Sequence, residues 1–199
     1  MQHPTKVFDE WAILGKDKGM EVSHAASVSE ILDYAMGRLS TRKNNFTFFD
    51  FGCGNGWVAD LVSKMDKCSL SVGVDGAENM ILNAKKRQSD ATFYLEDLNG
   101  FKSERKFDLI FSMEVLYYLE NPSTVIGSIK NMLNPNGRFI MGIDHYFENN
   151  ECHDWQEKVG TRMHLLKEEE WLDFFAKSNY KNIFSWKANS NDWAGTLSI

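Results

Sequence analysis

An aromatic, β-prone run, Phe46-Thr47-Phe48-Phe49-Asp50-Phe51, ends directly in Gly52-Cys53-Gly54-Asn55-Gly56. Beyond it Trp57, Val58, Leu61, Val62 and Met65 recur at helical spacing. A strand that stops in glycines and restarts as a helix is the opening unit of an open α/β sheet. The glycines let the backbone turn tightly and let a ligand approach where a Cβ would collide. The alternation then continues. Leu70–Asp75 reads as a second strand, and Ala77–Arg87 as a helix with Met80, Ile81 and Ala84 inward. Ala91–Leu95 is a short third strand, and Phe107–Phe111 a fourth, apolar enough to be buried on both faces. Asn121-Pro122-Ser123 opens a helix with Asn as N-cap and Pro at the first helical position. Asn134-Pro135-Asn136-Gly137 is a turn by composition, and Arg138–Ile143 follows as strand five. This pitch predicts a doubly wound, mostly parallel, seven-stranded sheet with helices on both faces.

The two ends break the rhythm. Residues 1–40 hold two helical stretches, Val7–Leu14 and Ser27–Leu39, joined by Gly15-Lys16-Asp17-Lys18-Gly19, and read as a helical cap. Residues 144–166 are polar and irregular, like a lid. Lys167–Ser178 is an amphipathic helix led by Glu168, Glu169 and Glu170, which suit a helix N-terminus. Tyr180–Trp186 and Asp192–Ile199 look like a closing hairpin. With 199 residues, no internal repeat and no linker, a single domain over 1–199 is expected.

Composition narrows the class. The chain is 43% hydrophobic with three prolines, which excludes a low-complexity or disordered polypeptide. No apolar run approaches the roughly 20 residues of a membrane helix, and Met1–Lys6 lacks the apolar core of a signal peptide. Cys53, Cys68 and Cys152 form no CxxC pair, which suggests a reducing, cytoplasmic setting. The net charge of −6 argues against broad nucleic-acid binding while leaving room for a local basic patch.

The glycine loop discriminates among cofactors. A dinucleotide fingerprint GxGxxG beginning at Gly52 needs glycine where Trp57 stands, and no GxxxxGK[ST] triphosphate loop exists. Instead, Asp50-x-Gly52-x-Gly54-x-Gly56 resembles the first motif of the class I S-adenosylmethionine-dependent methyltransferases. Further pieces match that family in order: Asp75 closing strand two, Glu96-Asp97-Leu98 after strand three, and Phe107–Leu116 around strand four. Leu133-Asn134-Pro135-Asn136-Gly137-Arg138 is similar to the family's turn before strand five, and Leu166–Trp171 with Asn179-Tyr180 to its late helix. The resemblance implies S-adenosyl-L-methionine as cofactor. It implies Gly52, Gly54 and Gly56 as the cofactor loop, Asp50 near the amino-acid end, Asp75 on the ribose, and Asp97 with Leu98 at the adenine. Trp57 and Ser112 complete the expected cofactor contacts.

Methyl transfer from a sulfonium needs positioning above all, which can supply about 7–11 kcal/mol, plus a base when the acceptor arrives protonated. Aromatic faces favour the sulfonium charge, with Phe8, Trp11 and Trp57 as candidates. Glu114 follows strand four and Asp144-His145-Tyr146 follows strand five, at the carboxyl edge where ligands sit. His145, titrating near neutral pH, is the expected base with Glu114, and Asp144, Tyr146 and His24 the expected substrate contacts. Residues 144–170 carry eight acidic and three basic side chains, so a lid there would steer toward cationic or amine substrates. Cys152-His153-Asp154, His145 and His164 match no zinc spacing, and no metal is expected. Neither the Pro-Pro-aromatic motif of nucleic-acid amino methylation nor a Pro-Cys nucleophile follows strand four. A small-molecule acceptor at O, N or S is the reading, with no membrane partner. RNA or protein as acceptor, or a non-enzymatic cofactor-binding module, are the alternatives, and the oligomeric state stays open.

Overall fold

The computed structural model describes residues 1–39, 45–191 and 193–199. Two helices, α1 (Pro4–Ile13) and α2 (Asp17–Leu39), precede β1 (Phe46–Phe51) and α3 (Trp57–Ser63). Next come β2 (Cys68–Asp75), α4 (Glu78–Lys85), β3 (Thr92–Leu95), β4 (Phe107–Met113) and α5 (Pro122–Lys130). The chain closes with β5 (Leu133–Ile143), α6 (Trp155–Val159), α7 (Glu168–Lys177), β6 (Trp186–Ala188) and β7 (Thr196–Ser198). Among the described residues seven strands form one sheet in the order β3-β2-β1-β4-β5-β7-β6. β1 to β5 run parallel, and β7 joins antiparallel to both β5 and β6. The expected doubly wound sheet and closing hairpin are both present. The strand order reverses between β1 and β4, so the crevice at their carboxyl ends is where a ligand belongs.

Alternation along β1 divides the core. Phe49 and Phe51 pack with Ile110, Trp171 and Phe175 on one face, while Phe48 packs with Leu109, Phe111, Val58 and Ile31 on the other. Parallel strands covered on both sides are mostly apolar, which is why four of the six residues of this strand are phenylalanine. Each buried phenylalanine contributes about 1.5–3 kcal/mol of transfer energy. Asn121 caps α5 as expected, its side chain accepting from the Thr124 amide at 3.0 Å.

Three expectations need correction. First, α2 begins at Asp17, ten residues before the Ser27 start that apolar spacing suggested. Its first turns face a polar cavity, so they carry no apolar stripe. Second, β5 begins at Leu133 and absorbs the Asn134–Gly137 turn: the register jumps from Phe107↔Leu133 to Leu109↔Arg138. Asn136 takes φ 62° there, the left-handed region that asparagine tolerates best after glycine. Third, the Tyr180–Trp186 strand is irregular until Trp186, and the hairpin pairs Trp186 with Ser198. Asp192, the expected start of the last strand, and Ser40, the end of the expected cap, lie outside the described residues. The 144–166 segment contains α6 and is tied to the N-terminus. Gln2 donates to the Gly160 carbonyl at 2.9 Å, and its own carbonyl accepts from the Thr161 hydroxyl at 2.9 Å. No described helix is long and apolar enough to cross a membrane.

Candidate active site

The glycine loop after β1 is stitched to the end of β2. The amides of Gly52 and Cys53 both donate to the Val74 carbonyl at 2.9 Å. Asp75 then accepts from the Gly54 amide at 2.9 Å and from the Ala77 amide at 2.8 Å, so its carboxylate joins loop and helix. Burial nonetheless raises the Asp75 pKa, and those amide bonds oppose it. The glycines differ in what they do. A Cβ on Gly56 would lie 2.6 Å from the Phe93 ring and 2.7 Å from Ala84, so this residue packs the loop onto the sheet and lines no cavity. A Cβ on Gly54 would meet nothing nearer than the Met80 sulfur at 4.0 Å, because the space above it is open.

That space is a cavity of about 390 Å³ at the carboxyl ends of β1, β2 and β4. Asp75, Gly76, Asp97, Leu98 and Asn99 line one end, and Phe8, Tyr118 and the N-terminal residues roof it. A recess of about 60 Å³ adjoins it, sharing Gly52, Gly54, Met20, Met80, Met113 and Glu114, and adds Asp17, Glu21, His24, Asp50 and Trp57. A larger groove, about 690 Å³, runs past Asn134–Arg138 and Lys181 and contains none of the expected site residues. Size alone therefore does not select the site; the glycine loop does.

Two buried carboxylate oxygens in the recess have no hydrogen-bond partner, Asp50 Oδ2 and Asp17 Oδ1. Burial, with the nearby Asp75 charge, pushes the Asp50 pKa up to about 8. Asp17 accepts at its other oxygen from the side-chain amides of Asn55 at 3.1 Å and Asn83 at 3.3 Å.

At the far side of the recess three elements converge. His24 comes from α2, Glu114 from the end of β4 and Asp144 from the end of β5. His24 Nε2 lies 3.6 Å from Asp144 Oδ2, and Asp144 Oδ1 accepts from the Thr196 hydroxyl at 2.6 Å. Glu114 accepts from the Tyr117 phenol at 2.6 Å and from the Asp144 amide. Burial first, and the Asp144 charge second, hold the Glu114 pKa well above the usual carboxylate range. Asp144 is raised too, by burial. The ligand atoms of His24, Glu114 and Asp144 lie within 4.8 Å of one another, close enough to surround one cation.

The structure thus gathers Asp50, Gly52, Gly54, Trp57, Asp75, Asp97, Leu98, Glu114 and His24 around one continuous space, with Asp144 directly behind His24. Four other expected contacts are placed elsewhere. His145 is 1% exposed and lines neither cavity; its ring stacks on Trp155 at 6.0 Å and lies 5.0 Å from Tyr117. β5 ends at Ile143, and in the loop beyond it Asp144 turns toward His24 while His145 packs against Trp155 and Tyr117. Neither ring nitrogen makes a well-formed hydrogen bond, and burial lowers the His145 pKa to about 4 against the opposing effect of the Cys152 backbone. Tyr146 is buried, its phenol donating to the Ala194 and Gly195 carbonyls at 3.0 Å beneath the Lys187 ammonium. Ser112 donates to the Phe51 carbonyl at 2.8 Å and ties β4 to β1. Gly56, as described, packs the loop from below.

Sequence reasoning missed Asp17, Met20 and Glu21. With His24 they recur at helical spacing along one face of α2, and all four line the recess. The signal was present as Asp17-x-x-Met20-Glu21-x-x-His24, hidden because the stripe is polar and Gly19 interrupts it.

This arrangement defines a class I S-adenosylmethionine-dependent methyltransferase domain. A family model described as a methyltransferase domain matches residues 42–186, and the chain belongs to that family. Among curated proteins, the malonyl-[acyl-carrier protein] O-methyltransferase of Bacillus cereus is 33% identical over 90 residues, 44% of this chain and 34% of that protein. The corresponding enzyme of Bacillus anthracis is 28% identical over 149 residues, 73% of this chain and 55% of that one. The chain spans about half or less of the length of these relatives. Among solved structures, a chain of the complex between the Haloferax volcanii Trm112 methyltransferase activator and a methyltransferase superposes with TM-score 0.81. It is 24% identical and covers 100% of this chain and 96% of that one. Magnesium protoporphyrin IX methyltransferase of Synechocystis, solved with S-adenosylhomocysteine, gives 0.70 at 17% identity, covering 91% and 83%.

The cofactor of this family is S-adenosylmethionine, and the residues present fit it. The orphaned Asp50 oxygen is an acceptor waiting for an ammonium. The open space over Gly54 admits a ligand against bare backbone.

Proposed function

We propose that this chain is a methyltransferase that moves a methyl group from S-adenosylmethionine to O, N or S of a small molecule. The carrying observation is the continuity of one space, from Asp75 and Asp97 across Gly54 to Asp50, then on to His24 and Glu114. Bound there, the cofactor supplies an electrophilic methyl on a sulfonium. Asp75, already fixed by two amides, keeps lone pairs for ribose hydroxyls, and Asp97 with Leu98 borders the adenine end. Asp50 holds the ammonium of the amino-acid end.

His24 is the general base. It borders the recess with Asp144 behind it, an arrangement in which a carboxylate orients the imidazole and stabilises its protonated form. Glu114, bonded by Tyr117 and the Asp144 amide, is held rigidly at the same pole and positions the acceptor. The N-terminal strap, fastened by Gln2 to Gly160 and Thr161, roofs the larger cavity and limits water there. The cofactor takes the larger cavity, and the adjoining recess of about 60 Å³, where His24 and Glu114 stand, suits a compact acceptor better than a polymer.

Calorimetric titration with S-adenosylmethionine and S-adenosylhomocysteine, using nicotinamide dinucleotides as controls, tests the reading. Saturable binding of the first pair alone supports it; dinucleotide binding overturns it.

A further inference from the structure

The recess beside the glycine loop holds more carboxyl groups than the methyl donor accounts for. Its lining includes Asp17, Glu21, Asp50 and Glu114, with Asp144 immediately behind, while among the described residues the only basic side chain lining it is His24. Glu21 is paired from outside by Arg87. The other carboxyl groups have no Lys or Arg partner among the described residues. Two of them present an unpartnered buried oxygen, Asp50 Oδ2 on a residue 2% exposed and Asp17 Oδ1 on a residue 5% exposed. A buried carboxylate without a partner costs several kcal/mol, so each such oxygen marks a place for a donor or a cation. The donor brings one ammonium, which Asp50 takes, and a sulfonium, which has no hydrogen to donate to a carboxylate oxygen. Asp17 is left over, on the same wall of α2 as His24 and facing the same recess as Glu114.

We infer that the methyl acceptor is an amine, bound as its ammonium by Asp17 and Glu114 and deprotonated by His24. This rests on the methyltransferase reading above and names the class of acceptor for that same site. An anionic acceptor would add another negative charge to a recess that already lacks cations, whereas an ammonium supplies the missing one. In the reaction the nitrogen gives a proton to His24, and its freed lone pair forms the bond to the methyl carbon. The carbon–sulfur bond breaks with its electron pair remaining on sulfur, leaving the neutral thioether and the methylated amine. Asp144, 3.6 Å behind His24, stabilises the imidazolium so formed. A resident metal ion is the less fitting occupant. Both Glu114 oxygens already accept hydrogen bonds, from Tyr117 and from the Asp144 amide, and Asp144 Oδ1 accepts from Thr196. That is the bonding of a proton-handling cluster.

Butylamine, butanol and butyrate, matched in shape and differing in head group, separate these possibilities. Each is titrated into the protein saturated with S-adenosylhomocysteine, followed by ligand-observed magnetic resonance in the presence of EDTA. The expected result is binding of butylamine at least tenfold tighter than of butanol, with no detectable binding of butyrate. Asp17→Asn is expected to weaken butylamine at least tenfold while S-adenosylmethionine affinity stays within about threefold. Glu114→Gln is expected to do likewise and serves if Asp17→Asn misfolds, as judged by circular dichroism. Equal binding of the three probes, or tighter binding of butyrate, overturns the inference and leaves the methyltransferase reading standing. Butylamine binding that disappears in EDTA and returns with Mn²⁺ overturns it in favour of a metal. Failure to bind S-adenosylhomocysteine at the outset overturns the underlying reading as well.

Discussion

His24 Nε2 lies 3.6 Å from Asp144 Oδ2, although one residue sits on the second helix and the other follows the fifth strand. The contact joins the N-terminal helices to the carboxyl edge of the sheet at the point where the recess ends. Of the two candidate histidines, His24 borders the recess and His145 lines neither cavity.

Removing His24 tests its role as base. His24→Ala is expected to lower kcat by roughly 10²–10⁴, the usual worth of a positioned base, with cofactor affinity nearly unchanged. Steady-state kinetics on an accepted substrate, with calorimetric cofactor titration, would check this. An unaltered kcat would remove His24 from the chemistry.

His145 predicts the opposite pattern. Neither buried ring nitrogen makes a well-formed hydrogen bond, so His145→Phe, an apolar ring of similar shape, is expected to stabilise the fold by about 1 kcal/mol. Its folded pKa of about 4 lies below the usual histidine value, so its contribution is present above about pH 6.5 and lost as pH falls toward 4. Urea unfolding across that window should show the variant losing less stability than the parent. Equal losses would contradict the assignment.

The glycine loop separates binding from folding. Gly54→Ala is expected to weaken cofactor binding at least tenfold, since its Cβ would enter open ligand space, at a folding cost of about 1–2 kcal/mol for φ 51°. Gly56→Ala drives a Cβ into Phe93 and Ala84 as well and should cost more stability, about 2–4 kcal/mol. Thermal unfolding and calorimetry on both variants would check the order; a reversed order of stability loss would refute it.

Asp50 links cofactor affinity to pH. With its pKa raised to about 8, the empty site holds a proton at neutral pH that an arriving ammonium must displace. Affinity for S-adenosylhomocysteine is therefore expected to rise from pH 6 toward 8, by up to about tenfold per unit, with proton release. In the cofactor-free protein the sign is the reverse. The unfolded chain binds fewer protons than the folded one between about pH 4 and 8, so this group's effect on stability falls as pH rises through that window. Calorimetry in buffers of different ionisation enthalpy would detect the released proton. Asp50→Asn should abolish it.

Asp75 carries two amides of the loop as well as facing the cavity. Asp75→Ala is expected to cost about 1.5–3 kcal/mol of cofactor binding, roughly 10- to 150-fold, through lost charge-assisted hydrogen bonds. Asp75→Asn, which keeps one acceptor oxygen, should lose less. Unchanged affinity in both would take Asp75 out of the site.

The sheet was legible because its causes are local. A parallel strand buried on both faces is mostly apolar, and a turn that brings bare backbone against a ligand favours glycine; residues 46–56 show both features within one segment. The cavity lining from Asp50 to Asp97 was legible for the same reason, since these residues lie at or just beyond strand ends that the topology fixes. What the sequence left open depends on how the chain turns beyond a strand end and on distant packing. Asp144, His145 and Tyr146 are consecutive, yet only the placement of β5 beside β7 decided which side chain turns toward His24. The acidic face of α2 escaped notice because a helix lining a polar cavity has no apolar stripe to betray its start. Local chemistry determined the fold and the cofactor loop; only tertiary packing, joining residues from three elements, decided which of them share the site.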